Sequence, residues 1–509
     1  MNQVIAEGEL TRLSRFIADQ LGLWFPKERF DDLKHGLFNA ARELDFTDAA
    51  EFINWLLASS LSRRQIEILA SHFTVGETYF FRDSGQFKIL EEKIIPVLVA
   101  RARTDYRHLR LWSAACASGE EPYSLAILLH KLISDLAGWN ITILATDINP
   151  VFLQKADRGV YTEWSFRDTP TWIKEKYFVR EPGSHYRIVP WIKNMVTFSY
   201  LNLAEDSYPS LTGNTNAMNV IFCRNVLMYF EAGRARSVIQ KLYRSLVDGG
   251  WLFVSPCEAS HEVFRPFTSV SFDGAIAYRK DRDGPLSPEY PVRGEPAFAP
   301  EARSAGGTAS LFSATTHIDT TFPPPAPDYP PPSLPREPEP TAPENDDYDR
   351  AQRFYDNGLY PEAAGLLIAS ASKNSNSRVM TLLARALANQ GKLAEAGQWC
   401  EKAATLDKLN PDLHYLLAVI FSELDRMDSA VMSLKRTLYL DPDFVLAHFT
   451  LANIYRNAGQ AGESNKNFRN ALALLGAMAP DQALPGSDGL TAGRLKEIIR
   501  STYQENVNG

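Results

Sequence analysis

The chain of 509 residues carries a formal net charge of −8 and is 45% hydrophobic and 22% charged, enough for several packed cores and short of the basic balance that gripping phosphate backbones requires. Its four cysteines, Cys116, Cys223, Cys257 and Cys400, are too few and too scattered for a disulfide framework or a metal cage. No stretch approaches the roughly 18 apolar residues of a membrane span, and MNQVIAEGELTRL lacks an apolar signal core, so a cytoplasmic, multidomain protein without a metal is expected.

Residues 1–75 show helical periodicity, as in Leu10, Leu13, Phe16, Ile17 and Leu21, and predict an N-terminal helical domain. From about Arg107, short apolar strands at 109–114, 141–147, 196–200, 219–223, 251–254 and 275–279 alternate with helical stretches such as 122–134 and 232–246. That alternation predicts a doubly wound α/β sheet. Residues 177–181, a Pro-Gly-Ser turn and residues 186–192 interrupt it and read as a small β-hairpin.

Eleven of the 31 prolines fall within residues 323–343. With the Pro-, Gly-, Ser-, Ala- and Thr-rich stretch before it, 281–345 reads as a linker that cannot bury enough apolar surface to order itself. Beyond it the sequence repeats every 34 residues: Leu383, Leu417 and Leu451, then Ala384, Ala418 and Ala452, with turns at Gly391, Asp425 and Gly459. This period and its small-residue positions resemble tetratricopeptide repeats. About four helix pairs are expected, the first of them degenerate, followed by a last helix at 491–503.

In doubly wound sheets, ligands bind beyond the carboxyl ends of strands, where strand order reverses. Four segments fall at such ends. The first, WSAACASGEEPYS from Trp112 to Ser124, is a small-residue turn into a helix, and it is neither a dinucleotide fingerprint nor a P-loop. Its Glu120 is a poor neighbour for a phosphate and a good one for a cation, which favours a positively charged ligand without phosphates. The second, ATDIN, places Asp147 where a ribose diol is held in such folds, the alternative being a helix N-cap before Pro150. The third is Leu201-Asn202-Leu203. The fourth, FCRNVLMYF, sets Asn225 directly after an apolar strand. Each asparagine alone also reads as a capping or turn residue.

With TVGETYFFRD at residues 74–83, these segments resemble, in order, the motifs of the CheR family of chemoreceptor glutamate methyltransferases, over about residues 5–280. The resemblance implies an α/β Rossmann-like class I methyltransferase domain with a small inserted antiparallel β-subdomain and an N-terminal all-α domain, ahead of the all-α tetratricopeptide repeat domain. The expected division is 1–75 helical, 76–280 methyltransferase with the insertion at about 164–194, 281–345 linker, 346–478 repeats and 479–509 tail. The resemblance further implies S-adenosyl-L-methionine as methyl donor, S-adenosyl-L-homocysteine as product, and no metal. Cofactor contacts are implied at Gly76, Thr78, Arg82, Glu120, Asp147, Asn202, Leu203, Asn225 and Val226, with Arg82 and Tyr229 as the catalytic pair near the transferred methyl.

Gly76 departs from the family, which has an asparagine there, so one hydrogen bond worth roughly 0.5–1.5 kcal/mol is expected to be lost. The implied substrate is the cytoplasmic coiled coil of methyl-accepting chemoreceptors. Arg29, Lys34 and Arg42 on the 28–44 helix read either as contacts to it or as a solvated face. The short hairpin turn implies an enzyme independent of a receptor-tail pentapeptide. The repeats imply a protein or peptide partner. Nucleic acid and direct membrane insertion are not expected, and recruitment to membrane-associated receptor arrays is. The competing readings are a non-catalytic scaffold of methyltransferase fold in a chemosensory complex, and a methyltransferase for a small molecule or nucleic acid.

Overall fold

The computed structural model describes residues 5–281 and 346–504, apart from 60, 104–106, 205–207, 212, 261, 274, 374–375 and 488–489. The expected linker with its Pro-dense 323–343 stretch lies, except for Asp281, outside the described residues. Four helices open the chain: α1 (Glu7–Leu21), α2 (Phe30–Glu43), α3 (Ala49–Ala58) and α4 (Arg63–Phe73). Leu10, Leu13, Ile17 and Leu21 on α1 recur at three- and four-residue spacing and meet Leu33, Leu37, Phe52 and Leu69 in one core. Helix α1 ends at Gly22, whose φ of 81° lies in the left-handed region that glycine enters without steric cost. A Cβ there would also stand 2.4 Å from the Phe230 ring, so this glycine lets the N-terminal helices close on the sheet domain.

Helices α5 (Ser84–Ile89) and α6 (Ile95–Arg103) lead into the sheet. There follow β1 (His108–Ala114), α7 (Glu120–Leu132), β2 (Asn140–Asp147), α8 (Pro150–Arg158), β3 (Val160–Thr162), α9 (Thr171–Tyr177), β4 (Phe178–Glu181), β5 (His185–Ile188) and α10 (Pro190–Lys193). The domain closes with β6 (Val196–Tyr200), β7 (Met218–Cys223), α11 (Ala232–Ser245), β8 (Leu246–Phe253), β9 (Thr268–Phe272) and β10 (Ala275–Arg279). Seven strands pair in the order β6-β2-β1-β7-β8-β10-β9. The first five run parallel, and β10 runs antiparallel to both its neighbours. Strand order therefore reverses between β1 and β7, and the switch point lies beyond their carboxyl ends. All six expected strands are present. Strand β9 was not foreseen, because Val270 is its one fully buried residue and TSVSF carries little apolar signal.

The inserted sheet has three antiparallel strands in the order β3-β5-β4. Its first strand, Val160–Thr162, is too short to read from sequence, and the expected second hairpin arm ends early because Pro190 opens α10. Phe80 anchors this sheet: its ring lies 4.9 Å from Tyr161, 5.0 Å from Phe166 and 4.9 Å from Phe178, centroid to centroid.

The repeats form helix pairs α12 (Asp346–Asp356) and α13 (Tyr360–Lys373), α14 (Ser377–Asn389) and α15 (Leu393–Leu406), α16 (Pro411–Glu423) and α17 (Met427–Leu440), α18 (Val445–Asn457) and α19 (Ala461–Gly476). A last helix, α20 (Ala492–Gln504), covers the end of the stack with Leu495 and Ile499, which join Leu451 and Phe468 in one core. The turns inside the four pairs sit at Gly358, Gly391, Asp425 and Gly459, all at positive φ between 56° and 76°. Three of these turns meet the amino-terminal edge of the sheet. A Cβ on Gly358 would stand 2.5 Å from Arg244 at the end of α11, and one on Gly391 would stand 3.3 Å from Val247 on β8. Glu423, just before Asp425, reaches Arg110 on β1 and takes the Asn140 side-chain N–H on its backbone oxygen at 2.7 Å. The repeats thus pack on the edge opposite the switch point.

Candidate active site

A cleft opens beyond the carboxyl ends of β6, β2, β1 and β7, the place where doubly wound sheets bind their ligands. Ala115 and Ala117 line it after β1, Asp147 at the end of β2, Leu201, Asn202 and Leu203 after β6, and Asn225, Val226 and Tyr229 after β7. Leu21 and Phe73 of the N-terminal helices, with Leu23 just beyond α1, close the opposite wall. Among the described residues, Asp147 is the one charged side chain in the lining.

The turn after β1 runs through Ala115 at φ 64° and Ala117 at φ 45°, a left-handed course that small side chains tolerate best. It aims the Ala117 N–H at Asp147 Oδ2, 2.8 Å away, while the Asn149 N–H reaches Oδ1 at 2.8 Å. Burial drives the Asp147 pKa up to about 6, against the pull of the Asn149, Ala117 and Ile148 N–H groups. The capping role falls instead to Asn149, whose side-chain oxygen accepts from the Val151 and Phe152 N–H groups at the start of α8.

Asn202 accepts the Ala204 N–H at 3.0 Å and donates to the Gln20 carbonyl at 3.1 Å, tying the β6 loop to α1. Asn225 is itself a turn residue, at φ 56°, and donates from Nδ2 to Ser255 Oγ at 3.0 Å. The Tyr229 carbonyl accepts the Trp24 N–H at 2.7 Å, and the Arg29 guanidinium lies 5.1 Å from the Tyr229 ring. Arg29 also bonds Asp32, so it braces this wall.

Six of the expected residues, Asp147, Asn202, Leu203, Asn225, Val226 and Tyr229, therefore share one cleft. Gly76 borders it through Phe152, a lining residue whose ring would stand 2.3 Å from a Cβ on Gly76. Thr78, Arg82 and Glu120 do not line it. Arg82 Nη1 donates to the Glu77 carbonyl at 2.7 Å, beside the Tyr79 ring. Glu120 is buried behind the turn, where its carboxylate accepts from the Ser118 and Ser165 hydroxyls at 2.8 and 2.9 Å. The charge suited to a cation is thus that of Asp147.

Sequence reasoning missed Phe152, Arg224 and Glu258. Arg224 is buried and donates to the Arg82 carbonyl (2.7 Å), Asp83 (3.1 Å), Gln86 (3.2 Å) and Glu121 (2.7 Å), so it fixes the 81–86 corner to the end of β7. Glu258 accepts four backbone N–H groups. A charged residue directly after an apolar strand, and the Ser-x-x-Glu box at 255–258, were the signals available for them.

Residues 76–275 match the family described as CheR methyltransferase, SAM binding domain, and residues 348–411 and 411–444 match tetratricopeptide repeat families. Among curated proteins, the "Chemotaxis protein methyltransferase" of Borreliella burgdorferi is 29% identical over 260 residues, 51% of this chain and 90% of that one. "Chemotaxis protein methyltransferase 2" of Vibrio cholerae is 29% identical over 56% of this chain and 97% of that one. "Chemotaxis protein methyltransferase 1" of Pseudomonas aeruginosa is 33% identical over 42% of this chain and 77% of that one.

This chain belongs to the CheR family. The CheR match covers the sheet domain that carries the cleft up to the first residue of β10, and the chain is a methyltransferase with tetratricopeptide repeats behind it. S-adenosyl-L-methionine fits the donor set of this CheR cleft. Among the described residues, the lining offers one carboxylate, two asparagines and apolar walls, with neither Lys nor Arg for a phosphate.

Proposed function

We propose that this chain transfers the methyl group of S-adenosyl-L-methionine to glutamate side chains in the cytoplasmic coiled coil of methyl-accepting chemoreceptors, leaving glutamate methyl esters. The observation that carries this reading is the cleft at the switch point, whose single charge among the described residues is the negative one of Asp147. A sulfonium ligand without phosphates suits such a lining. When bound, it supplies a methyl group activated for displacement.

Asp147 holds the ribose hydroxyls, and Asn202, Leu203, Asn225 and Val226 border the adenine and methionine portions. Gly76 borders the rim through Phe152, Thr78 acts from outside the lining, and Glu120 acts through the turn it stabilises. An acceptor carboxylate, of ordinary pKa ~4.3, is already ionised at neutral pH, so no general base is needed. The chain's task is to align that carboxylate and strip water from it. Arg82 orients the acceptor after leaving the Glu77 carbonyl, and Tyr229 packs beside the reacting groups. An arginine held too tightly on the acceptor would stabilise the ground state instead.

The division is 1–75 helical domain, 76–280 methyltransferase domain, 281–345 linker, 346–478 repeats and 479–509 tail. The repeats dock a protein or peptide partner. Among the described residues no helix is long and apolar enough to cross a membrane, and the enzyme works in the cytoplasm on receptors whose arrays lie at the membrane. The test is transfer of labelled methyl from S-adenosyl-L-methionine to a purified receptor cytoplasmic fragment by the full chain. Label released as methanol by mild base supports the ester. Binding of S-adenosyl-L-homocysteine without any transfer favours the scaffold reading.

A further inference from the structure

Resting on that reading of the cleft, we infer that Glu258 is the positioning residue for its β7 wall. One carboxylate serves the whole turn. Oε2 accepts the N–H of Asn225 at 2.8 Å and of Ser255 at 3.1 Å, and Oε1 accepts the N–H of Val226 at 2.8 Å and of Met228 at 3.3 Å.

The segment so held supplies Asn225, Val226 and Tyr229 to the lining, whereas Glu258 itself does not line the cleft. It is not a relaxed segment. Asn225 sits at φ 56°, a conformation that costs a non-glycine residue energy unless its surroundings enforce it. Nothing in the sheet ladder can do so, because β7 ends at Cys223. The N–H groups after it have lost their strand partners, and an ionised carboxylate is the acceptor best able to gather several at once. Ser255 completes the grip from the same short turn, accepting from Asn225 Nδ2 at 3.0 Å.

An amide cannot replace the carboxylate here. Glu258→Gln keeps the size but turns one oxygen into a donor, which then faces N–H groups that also donate. Two of the four bonds are lost and replaced by a repulsive contact, and the turn relaxes away from its cleft-lining course.

The experiment compares the full chain with Glu258→Gln and Glu258→Asp by three measurements: calorimetry with S-adenosyl-L-homocysteine, steady-state methyl transfer, and amide hydrogen exchange across residues 225–228. Glu258→Gln is expected to raise both the Kd for S-adenosyl-L-homocysteine and the KM for S-adenosyl-L-methionine by about tenfold or more, as loss of charge-assisted bonds would. Glu258 touches no reacting atom and acts only through the turn that carries Asn225, Val226 and Tyr229, so Kd and KM should rise whatever kcat does, whereas general damage to the fold would lower kcat with the active fraction and leave KM unchanged. Exchange at 225–228 should quicken even without ligand. Glu258→Asp, which keeps the charge on a shorter arm, should fall between, and it carries the test if the glutamine variant does not fold. Wild-type binding with both variants unchanged would overturn the inference alone. Failure of the wild type to bind would overturn the cofactor reading and this inference with it.

Discussion

Arg110, on the central strand β1, and Glu423, at the end of repeat helix α16, form an ion pair whose arginine side chain is only 3% exposed. The guanidinium also donates to the carbonyl oxygens of Asn214 and Asn216 at 3.0 and 3.2 Å. Catalytic sheet and repeats are therefore joined through a buried charge, at the edge opposite the cleft.

Removing one partner of such a pair strands the other charge in a low-dielectric setting. Glu423→Gln should lower stability by about 2 kcal/mol, less than a wholly buried pair because Asn214 and Asn216 still serve Arg110. In urea unfolding, a cycle with Arg110→Met should show coupling of about 1–3 kcal/mol between the two sites. Strictly additive losses would mean that the pair does not form in solution.

Asp147 makes ligand binding depend on pH. Its pKa is raised to about 6 by burial, above the unfolded ~3.9. Without ligand, this group's contribution to stability is full below the unfolded value and is lost as pH rises through about 6. Ribose hydroxyls need the ionised form, so affinity for S-adenosyl-L-homocysteine should fall by about tenfold from pH 7 to pH 5. Calorimetry in two buffers should show proton release near pH 6, and Asp147→Asn should bind weakly with a flat profile. A pH dependence that survives in Asp147→Asn would assign it elsewhere.

At Gly76 the structure replaces a simple deficit with a trade. The space a side chain would need is filled by the Phe152 ring, itself part of the cleft wall. Restoring the family asparagine with Gly76→Asn should therefore weaken S-adenosyl-L-homocysteine binding, by about three- to tenfold, because Phe152 must swing aside. Pairing it with Phe152→Ala should recover part of the loss. Tighter binding by Gly76→Asn alone would show that the ring yields freely.

Arg82→Ala should cut methyl transfer by about tenfold or more while changing S-adenosyl-L-homocysteine affinity by less than about threefold. The carbonyl of Arg82, not its side chain, is what Arg224 holds, so the corner should survive the substitution. Undiminished transfer would remove Arg82 from the acceptor site.

The strands were legible where burial is on both faces, as in β1, where Leu109, Leu111 and Trp112 are wholly buried. The repeats were legible because a left-handed residue must recur at each turn, as glycine or, at position 425, aspartate. In the cleft, residues lying directly at strand ends were readable because topology alone puts them there, as with Asp147 and Asn225. What could not be read depends on contacts distant in the chain: Glu258 reaching back to residue 225, Phe152 filling the place beside Gly76, and Glu423 meeting Arg110. The surroundings of Glu120 were unreadable for a related reason, since only the fold shows that the Ser118 and Ser165 hydroxyls bond its carboxylate.

Tandem mass spectrometry of a receptor cytoplasmic fragment incubated with the full chain and S-adenosyl-L-methionine decides whether the chain makes glutamate methyl esters. The expected product carries one added methyl on glutamate side chains, removed by mild base, and almost none forms with Asp147→Asn. Methylation at another residue type, or none by a wild-type chain that binds S-adenosyl-L-homocysteine, would contradict the proposed function.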